Sequence, residues 1–239
     1  MPEVKVGCCG FSRGLKDYFK QFKLVEVQQT FYKLPKLDTA LKWRKLAPPD
    51  FEFTLKASQL ITHPATSPTY RRAGLNVPKA KEGRYGFFKD TDEVRQAWAE
   101  TKMFAQALEA KVIVFQCPPS FRETSENVVN LKKFFESAQA SGFLLAWEPR
   151  GEWNEWTIKT LCSELALIHC VDPFEKNPLH GEPRYFRLHG GPRYRHRYTE
   201  EELRWLKGRL EDRETYVLFN NINMYNDAST FISLLEAQR

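Results

Sequence analysis

The stretch Arg184-Tyr-Phe-Arg-Leu-His-Gly-Gly-Pro-Arg-Tyr-Arg-His-Arg197 carries five arginines, and no acidic side chain lies between Glu182 and Glu200. Tyr185, Phe186 and Leu188 are strand formers, and Gly190-Gly191-Pro192 breaks the strand. A strand that delivers Arg187 and His189 to a glycine turn followed by guanidinium groups suits an anion. Arginine makes bidentate contacts to phosphate, and glycine lets backbone N–H groups approach an oxyanion. A second kind of chemistry is available to Glu26, Glu148, Asp172, His63 and His189. Carboxylates and imidazoles can perform general acid–base catalysis near neutral pH. His63, Glu148, Asp172 and His189 are also metal-ligand types, but no closely spaced ligand motif such as H-E-x-x-H occurs.

The elements that must position these residues are short apolar strands alternating with helices. Strands are expected over 4–8, 24–28, 51–56, 112–116, 143–147, 166–171, 184–188 and 215–219. Helices are expected over 15–22, 37–46, 91–109, 125–140, 156–165, from Thr199 onward, and over 227–237. Thr199 and Glu202 form a capping-box pattern. The segment 57–90, with Pro64, Pro68, Pro78, Gly74, Gly83 and Gly86, reads as a long irregular insertion after the third strand. Connections of that length are uncommon in compact domains and often serve as lids or binding loops. Alternation implies parallel strands joined by right-handed crossovers. Eight such units over 1–239 imply one α/β domain, a (β/α)₈ TIM barrel, with an open doubly wound sheet as the alternative.

In a barrel the functional face lies at the C-terminal ends of the strands. Those positions give Ser12 and Arg13, then Gln28, Thr30 and Tyr32, then Lys56, Thr62 and His63. Gln116, Glu148, Arg150, Asp172, Arg187, His189, Asn220 and Asn221 follow. Polar groups placed regularly after apolar strands cost free energy unless paired or used. Glu148, His189 and His63 are therefore the catalytic candidates. Gln28, Tyr32, Lys56, Gln116, Arg150, Asp172, Arg187, Gly190, Gly191, Asn220 and Asn221 are the ligand-binding candidates.

Composition limits the partners. The formal charge of +6 and the isoelectric point of about 9.0 favour an anionic small molecule or a nucleic acid. Basic loops with Tyr194 and Tyr198 interleaved could track a single strand. No G-x-G-x-x-G or P-loop motif points to a nucleotide cofactor. Cys8, Cys9, Cys117, Cys162 and Cys170 are odd in number and form no C-x-x-C, so reduced thiols in a cytoplasmic protein are expected. No run has the length and apolarity of a membrane span or a signal peptide. The expected activity is binding of a phosphate-containing ligand. The alternative is a hydrolase or isomerase using strand-end carboxylates and histidines, with or without a metal.

The runs Val25-Glu-Val-Gln-Gln-Thr-Phe-Tyr-Lys-Leu-Pro35, Phe51-Glu-Phe-Thr-Leu-Lys56, Phe115-Gln-Cys-Pro-Pro-Ser-Phe121, Trp147-Glu-Pro-Arg150, Tyr185-Phe-Arg-Leu-His-Gly190 and Phe219-Asn-Asn221 fall in a recognisable order. Over nearly the whole chain the sequence resembles the domain of unknown function 72, or YecE-like, family. That resemblance implies a TIM-barrel fold and brings no established activity. It departs from the family pattern at the first strand end, where Gly7-Cys-Cys-Gly-Phe11 replaces Gly-Thr-Ser-Gly-Trp, and at Gln28, where the family has asparagine.

Overall fold

A computed structural model of the chain describes residues 3–210 and 213–237. The elements run β1 (Val4–Cys9), α1 (Leu15–Gln21), β2 (Leu24–Val27), α2 (Gln29–Tyr32), α3 (Leu37–Leu46), β3 (Glu52–Lys56), α4 (Gln59–Thr62), α5 (Pro68–Arg72) and α6 (Asp92–Leu108). They continue β4 (Val112–Gln116), α7 (Ser125–Ala138), β5 (Leu144–Glu148), α8 (Glu155–Glu164), β6 (Ile168–His169), β7 (Arg184–Leu188), α9 (Glu200–Gly208), β8 (Thr215–Phe219) and α10 (Met224–Glu236). The strands form one sheet in the order β6-β5-β4-β3-β2-β1-β8-β7, and every pairing is parallel. A single parallel bridge between Val171 and Phe186 brings the two edges together. The fold is the expected TIM barrel, nearly closed.

Alternation along each strand sorts the side chains into two layers. One buried cluster packs the outer strand faces against the helices, with Val25, Phe53, Phe115, Trp147, Phe186 and Phe219 among its members. A smaller one contains Cys9, Leu24, Val114, Ala146, Cys170, Tyr185 and Leu218 and fills the barrel. Glu26, Lys56, Gln116, Glu148, Arg187 and His189 share the phase of that inner set. Sequence alternation alone therefore aims them along the barrel axis.

Three elements differ from expectation. Segment 57–90 is more ordered than expected: between irregular stretches it holds α4, α5 and a 3₁₀ turn at Lys79–Arg84. Its prolines punctuate these turns, as where Ser67 caps α5 with Pro68 in the first turn. Backbone bonds from Gly86 and Phe88 to Leu60 and Ile61 fasten it down. Phe88 is buried against Phe115, Phe121, Phe134 and Phe135, a burial worth about 1.5–3 kcal/mol. Strand β6 is two residues long instead of six, because its lower edge meets segment 179–181, where His180 O accepts the His169 N–H and Gly181 lies on the Ile168 backbone. Helix α2 was not expected, since four residues are too few to display a period.

Candidate functional site at the barrel mouth

The centre of the site is Arg187 on β7, which is 0% exposed. Its Nε and Nη2 donate to Glu26 Oε2 and Oε1 at 3.0 and 2.8 Å. Its Nη1 donates to Glu148 Oε2 at 2.5 Å. Tyr185 Oη also donates to Glu26 Oε2 at 2.9 Å, and the Gln28 amide donates to Glu26 Oε1. Glu148 Oε1 accepts from His189 Nε2 at 2.9 Å and from Arg150 Nη1 at 3.1 Å. Burial alone would raise the Glu148 carboxyl, but the positive charge of Arg187, followed by His189 and Arg150, holds it well below the usual carboxylate range. Glu148 is thus a carboxylate at neutral pH and no general acid.

His189 is held at both ring nitrogens. Asn220 Nδ2, which can only donate, lies 3.1 Å from Nδ1. Nδ1 is therefore the acceptor and Nε2 carries the proton that Glu148 accepts. A carboxylate behind one imidazole nitrogen orients the ring and supports positive charge on it, which suits the other nitrogen to take a proton. Among the described residues the partly exposed Asn220 is that nitrogen's hydrogen-bond partner.

The other candidates divide by what they touch. Gln28, Gln116, Arg150 and Asn220 are partly exposed at the strand ends, and Lys56 lies among them at 8% exposure. These are the groups a ligand would meet. Arg187 is not among them, because two carboxylates occupy its donors. Asp172 is a loop support: its carboxylate accepts the backbone N–H of His189 and of Phe174 at 2.8 and 3.0 Å. Burial raises its carboxyl despite those bonds. Asn221 donates to His196 O and to Asp227, tying the loop after β7 to α10. Gly190 gives its N–H to Tyr198 Oη, so that amide is not available to an oxyanion. Gly191 is exposed at φ +63° and its N–H has no partner among the described residues.

Tyr32 packs edge-on against Phe31 and lines an open groove with Gln29, Lys33 and Pro35. His63 packs edge-on against Phe31, with Nδ1 at 2.8 Å from Thr62 Oγ1. Burial, and then the neighbouring Lys56, push it down to about 3, so it stays neutral and does not take up a proton near pH 7 as the sequence led us to expect. Glu26 was not ranked among the site residues, although it is the second anchor of Arg187. Its signal was the inner phase it shares with Leu24. All five cysteines are unbridged and buried, and burial pushes Cys8 up to about 12. Among the described residues no three His, Cys, Asp or Glu side chains are grouped to hold a metal, and no helix is long and apolar enough to cross a membrane.

Eight parallel strands with polar side chains converging at their C-terminal ends define a TIM-barrel protein with a polar cluster in the barrel mouth. The chain belongs to the family described as protein of unknown function DUF72, whose model matches residues 9–239. It is 25% identical to a DUF72 family protein of Thermotoga maritima, with a TM-score of 0.66 and coverage of 98% of this chain and 99% of that one. A DUF72 family protein of Enterococcus faecalis is 21% identical, at TM-score 0.70, covering 99% and 98%. The family 2 AP endonuclease of Brucella melitensis shares the fold at 12% identity and TM-score 0.58, covering 100% of both chains. No curated protein matches the chain.

Proposed function

We propose that the barrel mouth binds a ligand carrying phosphate, a nucleotide or nucleic-acid strand included. The observation that carries this reading is how charge is distributed at the mouth. Arg187 neutralises Glu26 and Glu148 internally, whereas Arg150 uses one nitrogen on Glu148 and keeps its side chain 30% exposed. The Gly191 N–H on the loop after β7 has no partner among the described residues. Arg193, Arg195 and Arg197 follow on the same loop, exposed and without an ion pair among the described residues. A charge-assisted bond to a guanidinium contributes about 1.5–3 kcal/mol.

The test is a thermal-shift comparison of wild-type protein with Arg150→Ala. Phosphate, a nucleoside monophosphate, a sugar phosphate and a single-stranded oligonucleotide are each added against potassium chloride of equal ionic strength. A ligand at a hundredfold excess over its Kd adds about 2.7 kcal/mol, roughly 5–10 °C in a domain of this size. The shift should shrink in the variant. A nucleic-acid ligand would lose affinity steeply with salt, and a small phosphate ester less so. No shift with any of the four overturns the reading.

A second reading, proton transfer on the bound ligand, is favoured by the Glu148–His189–Asn220 chain. In it His189 Nδ1 is the general base and Glu148 the residue that orients it.

A further inference from the structure

Every charge in the ion cluster has an opposite partner, and Lys56, next to it at the end of β3, has none. Among the described residues its Nζ makes no hydrogen bond and no ion pair. Its contact is with the face of Phe31, whose ring centroid lies 3.7 Å away. The residue is more than nine-tenths buried and follows the inner phase of β3 toward the mouth. Phe31 in turn packs against the neutral His63, and Glu148 and Glu26 act on Lys56 only through space, without a hydrogen bond or ion pair among the described residues.

An ammonium placed there loses hydration, and an aromatic face returns only about 0.5–2 kcal/mol. Burial, and then the positive charge of Arg187, push the Lys56 amine down to about 7. A large share of the side chain is then free amine near neutral pH. A desolvated lysine beside another cation is an established way to make an amine nucleophilic.

We propose that Lys56 forms an imine with the aldehyde or ketone carbon of a small substrate whose phosphate is held at Arg150. The phosphate half rests on the binding reading above, and the amine half does not. The Nζ lone pair attacks the carbonyl carbon and a C–N bond forms. The C=O π pair moves to oxygen, which gains a proton as nitrogen loses one, giving a carbinolamine. That oxygen takes a second proton and leaves as water while the nitrogen lone pair closes the C=N bond. The net change is amine plus carbonyl plus one proton, supplied by solvent at the mouth, to protonated imine plus water, with no oxidant or reductant. A protonated imine withdraws electrons from the adjacent C–H or C–C bond. The reactions it would serve are therefore proton exchange next to a carbonyl, or aldol cleavage and addition.

Wild-type protein is incubated near neutral pH with D-glyceraldehyde 3-phosphate or with D-glyceraldehyde, reduced with sodium borohydride and mapped by peptide mass spectrometry. Lys56 should carry the adduct about tenfold or more above the exposed Lys33, since few surface amines are unprotonated at that pH. Lys56→Arg should carry no adduct at that position. Arg150→Ala should cut labelling by the phosphorylated aldehyde about tenfold and leave labelling by glyceraldehyde unchanged. Labelling of Lys56 no greater than that of Lys33 by both aldehydes in wild-type protein overturns the proposal, whatever the variants do. Preferred labelling of Lys56 by both aldehydes alike, indifferent to Arg150→Ala, supports the imine and removes the phosphate reading instead.

Discussion

Arg187 is a structural cation at the heart of the site, and its removal should be felt in stability before function. It joins Glu26 and Glu148, which reach it from β2 and β5. Arg187→Met would take from both buried carboxylates the guanidinium they share, leaving Glu148 only His189 and Arg150. Breaking a buried ion pair from one side costs about 3–5 kcal/mol, whereas replacing the whole set by groups of similar volume costs far less. Urea unfolding of Arg187→Met should show that loss, and adding Glu26→Gln to it should restore part of the stability. A single variant within about 1 kcal/mol of wild type would mean the ion cluster does not hold the barrel interior together. The strand-end residues were legible in the sequence because strand-like runs, apolar before Gln116 and Glu148 and alternating before Lys56, stop at polar residues. The partnership of Arg187 with Glu26 was not legible. The two lie 161 residues apart, and parallel closure brings them together in a way that spacing cannot encode. The sequence offers Glu26, flanked by Val25 and Val27, for acid–base chemistry and not as the ion-pair partner of Arg187. Those valines face the helices, and their phase is what turns Glu26 inward.

At the scale of elements, β7 and the loop leading into α9 set the position of His189. The loop is tied by Gly190 N–H to Tyr198 Oη, by His196 N–H to Gly190 O, and by Asn221 to His196 O. Thr199 and Glu202 close the capping box that starts α9, so the loop ends at a fixed point. Gly190 allows this path: at φ +67°, an added Cβ would stand 2.6 Å from Asn221 Cβ and 3.2 Å from His196 O. Gly190→Ala should therefore cost about 1–3 kcal/mol, from the left-handed backbone and the forced shift of Asn221. Because Gly190 follows His189 directly, the same change should disturb the His189–Asn220 contact, read as a shifted imidazole resonance in NMR. Gly191→Ala meets no neighbouring atom and bears only the backbone strain at φ +63°. It should cost distinctly less, and equal losses at the two positions would refute a packing role for Gly190. The sequence marked this turn by its glycines without revealing that the two do different work.

For the whole molecule, the weak line is between β6 and β7, where one bridge and a covering segment stand in for a ladder. His169 lies on that line, 2% exposed, with Nδ1 accepting the Leu179 N–H at 3.1 Å and Nε2 buried without a hydrogen-bond partner among the described residues. Burial, and then Lys176, push it down to about 4. A histidine whose native value is depressed favours folding above its unfolded value of 6.5, and that contribution is lost as pH falls through the native value. His63, at about 3, has the same sign. Glu148 is also depressed, but from 4.5, so its contribution stays in full until the pH drops below that point. Asp172 works against the trend, because its raised carboxyl is protonated first in the native state. Between pH 6.5 and 4.5 the acid loss of stability should thus come mainly from His169 and His63, on the order of 2 kcal/mol each. His169→Asn keeps an acceptor for the Leu179 N–H and cannot take the proton. Urea melts across that window should give a shallower slope for the variant than for wild type, even if its stability at neutral pH is lower. Parallel slopes would show that His169 is not what acid acts on at the barrel's one incomplete closure.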